Sequence, residues 1–387
     1  MLKTSNRARP WIAGTAFVAV AAVLAACGST QAASTGGSDA PSSSSTASSN
    51  SSGTASTAGV LASYENAPTA IPITTPLKAA PPKGKTFVFL QCDVAQCTEE
   101  STAMKAVVAA VGWNLKVIPY QSENPATLIS GLQQALQLHP AAVGLTGIPE
   151  IEWQSVVPAY QKAGVPIVVG QVGPQALSKT VIASIGNDLN VQITAKVLSD
   201  YFIARSGGKG KILQFQVPDF PILGAFDQDF RADVQASCPA CSVTQLTGTI
   251  AEVTSGGSTA AIVSALQRDP QDTWLVTDDG PWVDGLPAAL AGAHIHVKII
   301  GEGADVTDET DVKEGTMTAF TGVPLDYGMW AMMDAVLRHM EGMPNSPNEG
   351  LLPIQLLVKG ESFAVSESYN QPADYAAQME KLWHVSS

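Results

Sequence analysis

The sequence lacks the signatures of covalent and metal-assisted catalysis. No GxSxG turn, HExxH helix or GxGxxG loop occurs in its 387 residues, and nothing along it assembles a nucleophile with a base. Positive charge is scarce: 21 Lys and Arg stand against 34 Asp and Glu, for a formal net charge of −13. That balance argues against nucleic acid or an anionic lipid surface as a partner, because both select basic patches. Charged residues of either sign make up only 14% of the chain and apolar residues 45%, which excludes the highly charged, core-poor composition of a disordered protein. A long hydrophobic run is also missing. Residues 11–22 are apolar, but too few to favour a helix that crosses a bilayer. No catalytic residue, cofactor or metal is expected from this inventory.

What is present begins with an export signal. Lys3, Arg7 and Arg9 form a basic start, and the apolar stretch ends in Val23-Leu24-Ala25-Ala26-Cys27-Gly28. That ending resembles the lipobox of bacterial lipoproteins, in which small residues precede a cysteine that is lipidated and becomes the new first residue. The resemblance implies removal of 1–26 as a signal peptide and anchoring to the cell membrane, outside the cytoplasm, by lipid on Cys27. Residues 27–83 are then expected to be linker: 29–59 is almost wholly Ser, Thr, Gly and Ala, which cannot bury a core, and 64–82 is Pro-rich and semi-extended. As a random coil this leash would span about 40 Å.

From Lys85 onward, short apolar runs alternate with helix-like stretches. The strand candidates are 87–90, 115–118, 142–145, 166–169, 181–185, 211–215, 242–246, 273–276, 297–300, 316–320 and 354–358. Helix candidates are 101–111, 126–138, 151–163, 189–205, 222–236, 259–267, 286–291, 327–340 and 372–383. The order predicts an α/β protein with doubly wound parallel sheets in two domains, changing over near 171–180. The run Thr86-Phe87-Val88-Phe89-Leu90 does not alternate, so it reads as a strand covered on both faces. Thr98 is expected to cap the following helix, with Glu99 and Glu100 in its first turn. Ligands of open α/β sheets bind outside the carboxyl ends of the strands, which makes residues 91–97 the first wall of a cleft.

The loops predicted to follow the strands are 91–97, 146–152, 170–178, 217–226, 277–285, 302–306 and 321–327. They carry ten acids, among them Asp93, Asp278, Asp279, Glu302, Asp305 and Asp326, and no Lys, Arg or His. Phe220, Phe226, Trp282 and Tyr327 lie in the same loops. Carboxylates accept hydrogen bonds from hydroxyl and ammonium groups, and aromatic faces cover CH-rich rings or cations. A neutral or cationic small molecule is therefore expected there, and an anion is disfavoured. In Asp278-Asp279, adjacent side chains point to opposite faces, so one is expected in the cleft and one in the turn.

Three other patterns carry less. Residues 79–86 loosely match a phosphate-binding loop, but Thr86 opens a strand rather than a helix. His294 and His296 are spaced for a metal on an extended segment, yet no third ligand is near, and a solvated approach to the next strand is the simpler reading. Cys92, Cys97, Cys238 and Cys241 allow three disulfide pairings, of which the local pairs Cys92–Cys97 and Cys238–Cys241 are preferred. Cys238-Pro239-Ala240-Cys241 could alternatively serve thiol-disulfide exchange, although it follows a helix where that chemistry wants a helix start.

Several segments, in order, resemble the type 1 periplasmic solute-binding proteins of the ribose- and galactose-binding kind. They are Lys85–Leu90, Ala142–Leu145, Gly164–Val169, Ile185-Gly186-Asn187-Asp188, Trp274–Asp279, Ile299–Gly303 and Leu337–Gly342. The resemblance implies two α/β lobes joined by three crossings, the first from 84–180 plus 323–350 and the second from 181–322 plus 351–387. It places ligand contacts at Asp93, Gln171, Phe220, Asp278, Glu302 and Tyr327; Trp282 is added here as a stacking ring. Gln171-Val172 stands where the family has a sugar-binding Asp-Arg, and Leu223-Gly224-Ala225 where it has an Arg. The implied partners are a small neutral, sugar-like or cationic solute and the permease of an ABC importer. A sensor of the same fold, signalling to a membrane kinase or chemoreceptor, is the alternative; an exported thiol-disulfide oxidoreductase is the second alternative.

Overall fold

The computed structural model describes residues 52–360, 363–366 and 369–385. The expected signal peptide, the expected lipidation site Cys27 and the first part of the expected linker lie outside the described residues. In chain order the described elements begin with α1 (Ser52–Glu65), β1 (Thr86–Gln91), α2 (Ala95–Ala110), β2 (Asn114–Pro119), α3 (Pro125–Gln137), β3 (Ala142–Thr146), α4 (Glu150–Trp153), α5 (Val157–Ala163), β4 (Ile167–Gly170) and β5 (Val181–Ile185). They continue with α6 (Asp188–Ser206), β6 (Lys211–Gln216), α7 (Pro221–Ser237), β7 (Ser242–Thr247), α8 (Ile250–Thr254), α9 (Gly257–Arg268), β8 (Trp274–Thr277) and α10 (Leu286–Gly292). Last come β9 (Lys298–Gly301), α11 (Val306–Glu314), β10 (Ala319–Gly322), α12 (Leu325–Met340), β11 (Gln355–Val358) and α13 (Tyr375–Leu382).

Two sheets result, ordered β2-β1-β3-β4-β5 and β11-β10-β9-β8-β6-β7. Every described pairing is parallel except β10 with β11. Phe87 to Leu90, in β1, are completely buried, as a strand with helices on both faces requires. The sheets are the cores of two lobes. Strand β5 pairs with β4 and so ends the first sheet, which moves the change of lobe from 180 to about 186. Helix α12 returns from β10 to pack on α2, β4 and β5 of the first lobe. Its residues from Tyr327 to Arg338 are all buried.

Three local expectations change. Helix α2 begins at Ala95 behind an extended Val94, so Thr98 is not its cap; the Thr98 hydroxyl accepts from Gln91 Nε2 instead. The single helix expected over 151–163 is split by a 3-10 turn at Gln154–Val156, ahead of Pro158, because proline lacks the N–H that would continue the ladder. Helix α13 packs on α12, with Trp383 stacked on Trp330 at 5.2 Å, so the C-terminal helix joins the first lobe rather than the second.

The largest difference concerns the linker. Helix α1 packs on α6 and β11 of the second lobe, and Leu61, Ile71, Ile73 and Leu77 are buried. From there residues 66–85 run as a strap onto the first lobe. The Leu77 N–H donates to Leu382 O at 2.9 Å, Trp113 Nε1 to Pro82 O at 2.7 Å, and Arg338 Nη2 to Thr75 O. The apolar residues scattered through this Pro-rich stretch are what fasten it; composition alone conceals them.

Candidate functional site

The cleft forms where the carboxyl ends of both sheets face each other. A cavity of about 210 Å³ is lined from the first lobe by residues after β1, β3, β4 and β5, and from the second by residues after β6, β8, β9 and β10. This is where parallel strands leave loops free to vary without disturbing the ladder. At one point the lobes nearly touch. Gly147 has φ +77°, and a Cβ there would meet the Phe220 ring at 3.3 Å. The left-handed turn favours glycine, and a side chain there would press on the Phe220 ring.

Of the residues expected to meet ligand, Gln171, Phe220, Trp282 and Glu302 line the cavity. Three others do not. Asp93 Oδ1 accepts from the Ser122 N–H and hydroxyl at 3.0 and 2.8 Å, tying the loop after β1 to that after β2. Tyr327 is fully buried in the first lobe, edge-on to Tyr375 at 6.3 Å. Asp278 is also fully buried, and its Oδ2 accepts from the Val217 N–H at 2.7 Å, which fastens the end of β8 to that of β6. The two neighbouring acids do diverge, but it is Asp279 that reaches the cavity wall. Burial lifts Asp278 to about 7, and burial together with the charge of Asp278 lifts Asp227 to about 9.

Glu100 was not foreseen as a wall residue. It lies in the second turn of α2 and is 1% exposed. Its Oε2 accepts from the Thr146 hydroxyl at 2.6 Å and its Oε1 from Gln171 Nε2 at 2.7 Å. Burial pushes its pKa up to about 8 against these two favourable hydrogen bonds. Glu302 is raised to about 8 by burial and by the charge of Asp278. It retains some accessible surface, but in an enclosed place. Asp279 is raised well above the usual carboxylate range by burial and by Glu302, Asp278, Asp308 and Asp305 around it. Charge repels charge here because little water separates the groups.

Asp305 caps α11: its Oδ1 accepts from the Thr307 and Asp308 N–H groups at 2.7 and 3.0 Å, while Asp308 Oδ2 accepts from the Asp305 N–H at 3.1 Å. This reciprocal capping box was legible as Asp-x-x-Asp. Asp284, Asp305 and Asp308 offer oxygens within 4.8 Å of one another, which makes them the described residues best placed to approach a metal. His294 and His296 stay exposed on the approach to β9.

The cysteines meet in the local pairs: Cα atoms are 5.5 Å apart for Cys92 and Cys97 and 5.3 Å for Cys238 and Cys241, the separation a disulfide needs. Cys92 and Cys97 stand in the cavity wall. Cys238 is the C-cap of α7, at the negative end of the helix dipole, opposite to what stabilises a reactive thiolate.

No protein-family model matches the chain, and no curated protein matches it. Solved structures do. An ABC sugar transporter subunit from Rhodobacter sphaeroides aligns with TM-score 0.62 at 18% identity, over 72% of this chain and 99% of that one. An ABC transporter periplasmic solute binding protein from Actinobacillus succinogenes, with bound D-allose, gives 0.61 at 14%, over 71% and 98%. A putative LacI transcriptional regulator from Bacteroides fragilis gives 0.61 at 15%, over 72% and 98%. At these identities the likeness is one of fold, and the chain has the two-lobed α/β fold of the type 1 periplasmic binding proteins.

Proposed function

We propose that this protein is an extracytoplasmic solute-binding component of an ABC importer, tethered to the membrane by lipid on Cys27. The observation that carries the proposal is the enclosed cavity whose walls come from both lobes. A solute there touches Glu100 and Gln171 on one side and Phe220, Trp282, Asp279 and Glu302 on the other. It gains both sets of contacts only when the lobes are closed, so it shifts the lobe equilibrium towards closure. The closed surface is what a permease would read. The solved neighbours support transport: one is a sugar transporter subunit and another carries D-allose.

Thermal-shift and calorimetric screening of small solutes tests the binding role. The expected result is saturable binding that Trp282→Ala and Glu302→Gln abolish; undiminished binding in both variants would remove the site assignment. Cys27→Ala should release the protein from the membrane fraction, and mass spectrometry should find the lipid on Cys27 of the native protein. The two cysteine pairs are proposed as structural disulfides, so native protein should show no titratable thiol among Cys92, Cys97, Cys238 and Cys241, and no insulin-reducing activity.

A second reading is that the same closure signals to a membrane kinase or chemoreceptor; one solved neighbour of this fold is a putative transcriptional regulator rather than a transporter subunit. Cross-linking in native membranes separates the two, since an importer component is captured with a permease and a sensor with a kinase or receptor.

A further inference from the structure

Six acids line the cavity: Glu99, Glu100, Asp279, Asp284, Glu302 and Asp305. No Lys, Arg or His appears among its described lining residues. Elsewhere the chain supplies a cation to buried acids: Arg338 Nε, 1% exposed, pairs with Asp334 and lies 3.4 Å from Glu349. In the cavity wall, by contrast, Asp279 is surrounded by four further carboxylates and is itself 5% exposed. Enclosing ionised Asp279 and Glu302 without a cation is costly, because the charged form loses its water and meets only other carboxylates. A stable protein keeps such an arrangement where something else completes it.

A second observation concerns the opposite need. Trp282 walls the cavity and is 8% exposed, and its indole N–H is enclosed with no acceptor among the described residues. An orphaned buried donor is destabilising, and an oxygen on a ligand would satisfy it. The rings of Phe220, Trp282 and Tyr369 border the same space, and aromatic faces attract cations.

We propose that the cleft is built for a small organic cation, a solute carrying a protonated amine or guanidinium group together with a hydroxyl or ether oxygen. The acids of the second lobe, Asp279 and Glu302, take the cationic group. Trp282 donates to the oxygen, and Glu100, held by Thr146 and Gln171, closes the other side. A plain neutral sugar would leave the acids held by protons alone, with no cation to displace them. This inference rests on the proposed solute-binding role and narrows it to one ligand class.

The test is calorimetric titration of the full-length protein with D-glucosamine, agmatine and spermidine, against D-glucose, D-allose and N-acetyl-D-glucosamine, with calcium chloride as a separate arm. The expected result is that at least one cation binds more tightly than every neutral sugar, by about 10-fold or more, the scale of a charge-assisted hydrogen bond. Its binding should release protons, read as a heat that changes with buffer ionisation enthalpy. Asp279→Asn and Glu302→Gln should each weaken it by about 10-fold or more, while circular dichroism confirms that both variants fold. A neutral sugar that binds as well as any cation overturns the inference and leaves solute binding standing. Calcium binding with silent amines also overturns it, in favour of a metal at Asp284, Asp305 and Asp308. No binding in any arm overturns the inference and counts against the solute-binding role as well.

Discussion

Two groups of buried acids teach different lessons. One lies beneath the strap, where Asp334 and Glu349 flank Arg338; the other lies in the cleft, where Asp279, Glu302 and Glu100 stand without a base. The first has its cation built in. Arg338 donates to Asp334 and to Thr75 O, Trp383 Nε1 donates to Asp334 Oδ1 at 2.6 Å, and the Ser346 N–H donates to Glu349 Oε2 at 2.6 Å. Burial and the charge of Asp334 raise Glu349 to about 9, while Arg338 and the Ser346 N–H draw it back down. That cluster joins the strap, α12 and α13, and its function is structural. The cleft group has the same kind of acids and lacks the internal cation. An acid cluster that the fold completes holds the fold together; one that it leaves incomplete is available to a ligand.

The comparison breaks most sharply at Arg338. Arg338→Ala would strand two buried acids and release Thr75, and urea denaturation should show a loss of about 3–5 kcal/mol, the usual cost of removing one partner of a buried pair. A loss below 1 kcal/mol would mean that the strap and the pair are incidental.

The cleft should respond with the opposite sign. Asp279→Asn, which removes an acid that burial and four neighbouring carboxylates hold well above the usual range, should leave the ligand-free protein as stable or more stable in urea denaturation, increasingly so as pH rises. A loss of stability there would show that Asp279 already has an internal partner.

Acidity should discriminate in the same way. Glu100 and Glu302 have folded pKa values raised from 4.5 to about 8. The folded state therefore binds more protons than the unfolded state between those values. Their contribution to stability is full below pH 4.5 and declines as pH rises through 8. Glu100 faces Thr146, Gln171, Glu99 and Asp326, and Glu302 faces Asp278; no basic group opposes either trend. The ligand-free protein should melt about 5 °C higher at pH 5.5 than at pH 8.5, as several kcal/mol would produce in a chain of this size. A saturating cationic ligand should flatten that slope.

The smallest effect is expected outside both groups. Asp93→Ala removes two hydrogen bonds to Ser122 on an exposed loop. It should cost about 0.5–1 kcal/mol and leave ligand affinity unchanged in calorimetry.

Much of the architecture was legible in the residue pattern. All eleven strand candidates are strands, since a run such as Val181–Ile185 is long enough to cross a sheet and too short and too β-branched for a helix. The short helices α8 and α11 were missed, although Thr249 with Glu252 and Asp305 with Asp308 carry the capping-box spacing. Their apolar faces are too brief to give a helical period. At the cleft, the acid-rich, base-poor strand ends were visible, and four of the seven expected contacts line the cavity. Asp93, Asp278 and Tyr327 do not. Which way a loop carboxylate turns depends on the neighbouring strand's free N–H groups, as with Val217 for Asp278.

The chain's own order of residues therefore determined two parallel sheets, the faces their strands bury and the sign of charge at their carboxyl ends, because these follow from periodicity and composition over short spans. Only the tertiary structure decided which acids have a cation and which do not. It also decided that a Pro-rich stretch is a strap and that the last helix joins the first lobe. Those outcomes depend on contacts between residues such as Thr75 and Arg338, 263 positions apart in sequence, and no local pattern encodes a partner at that distance.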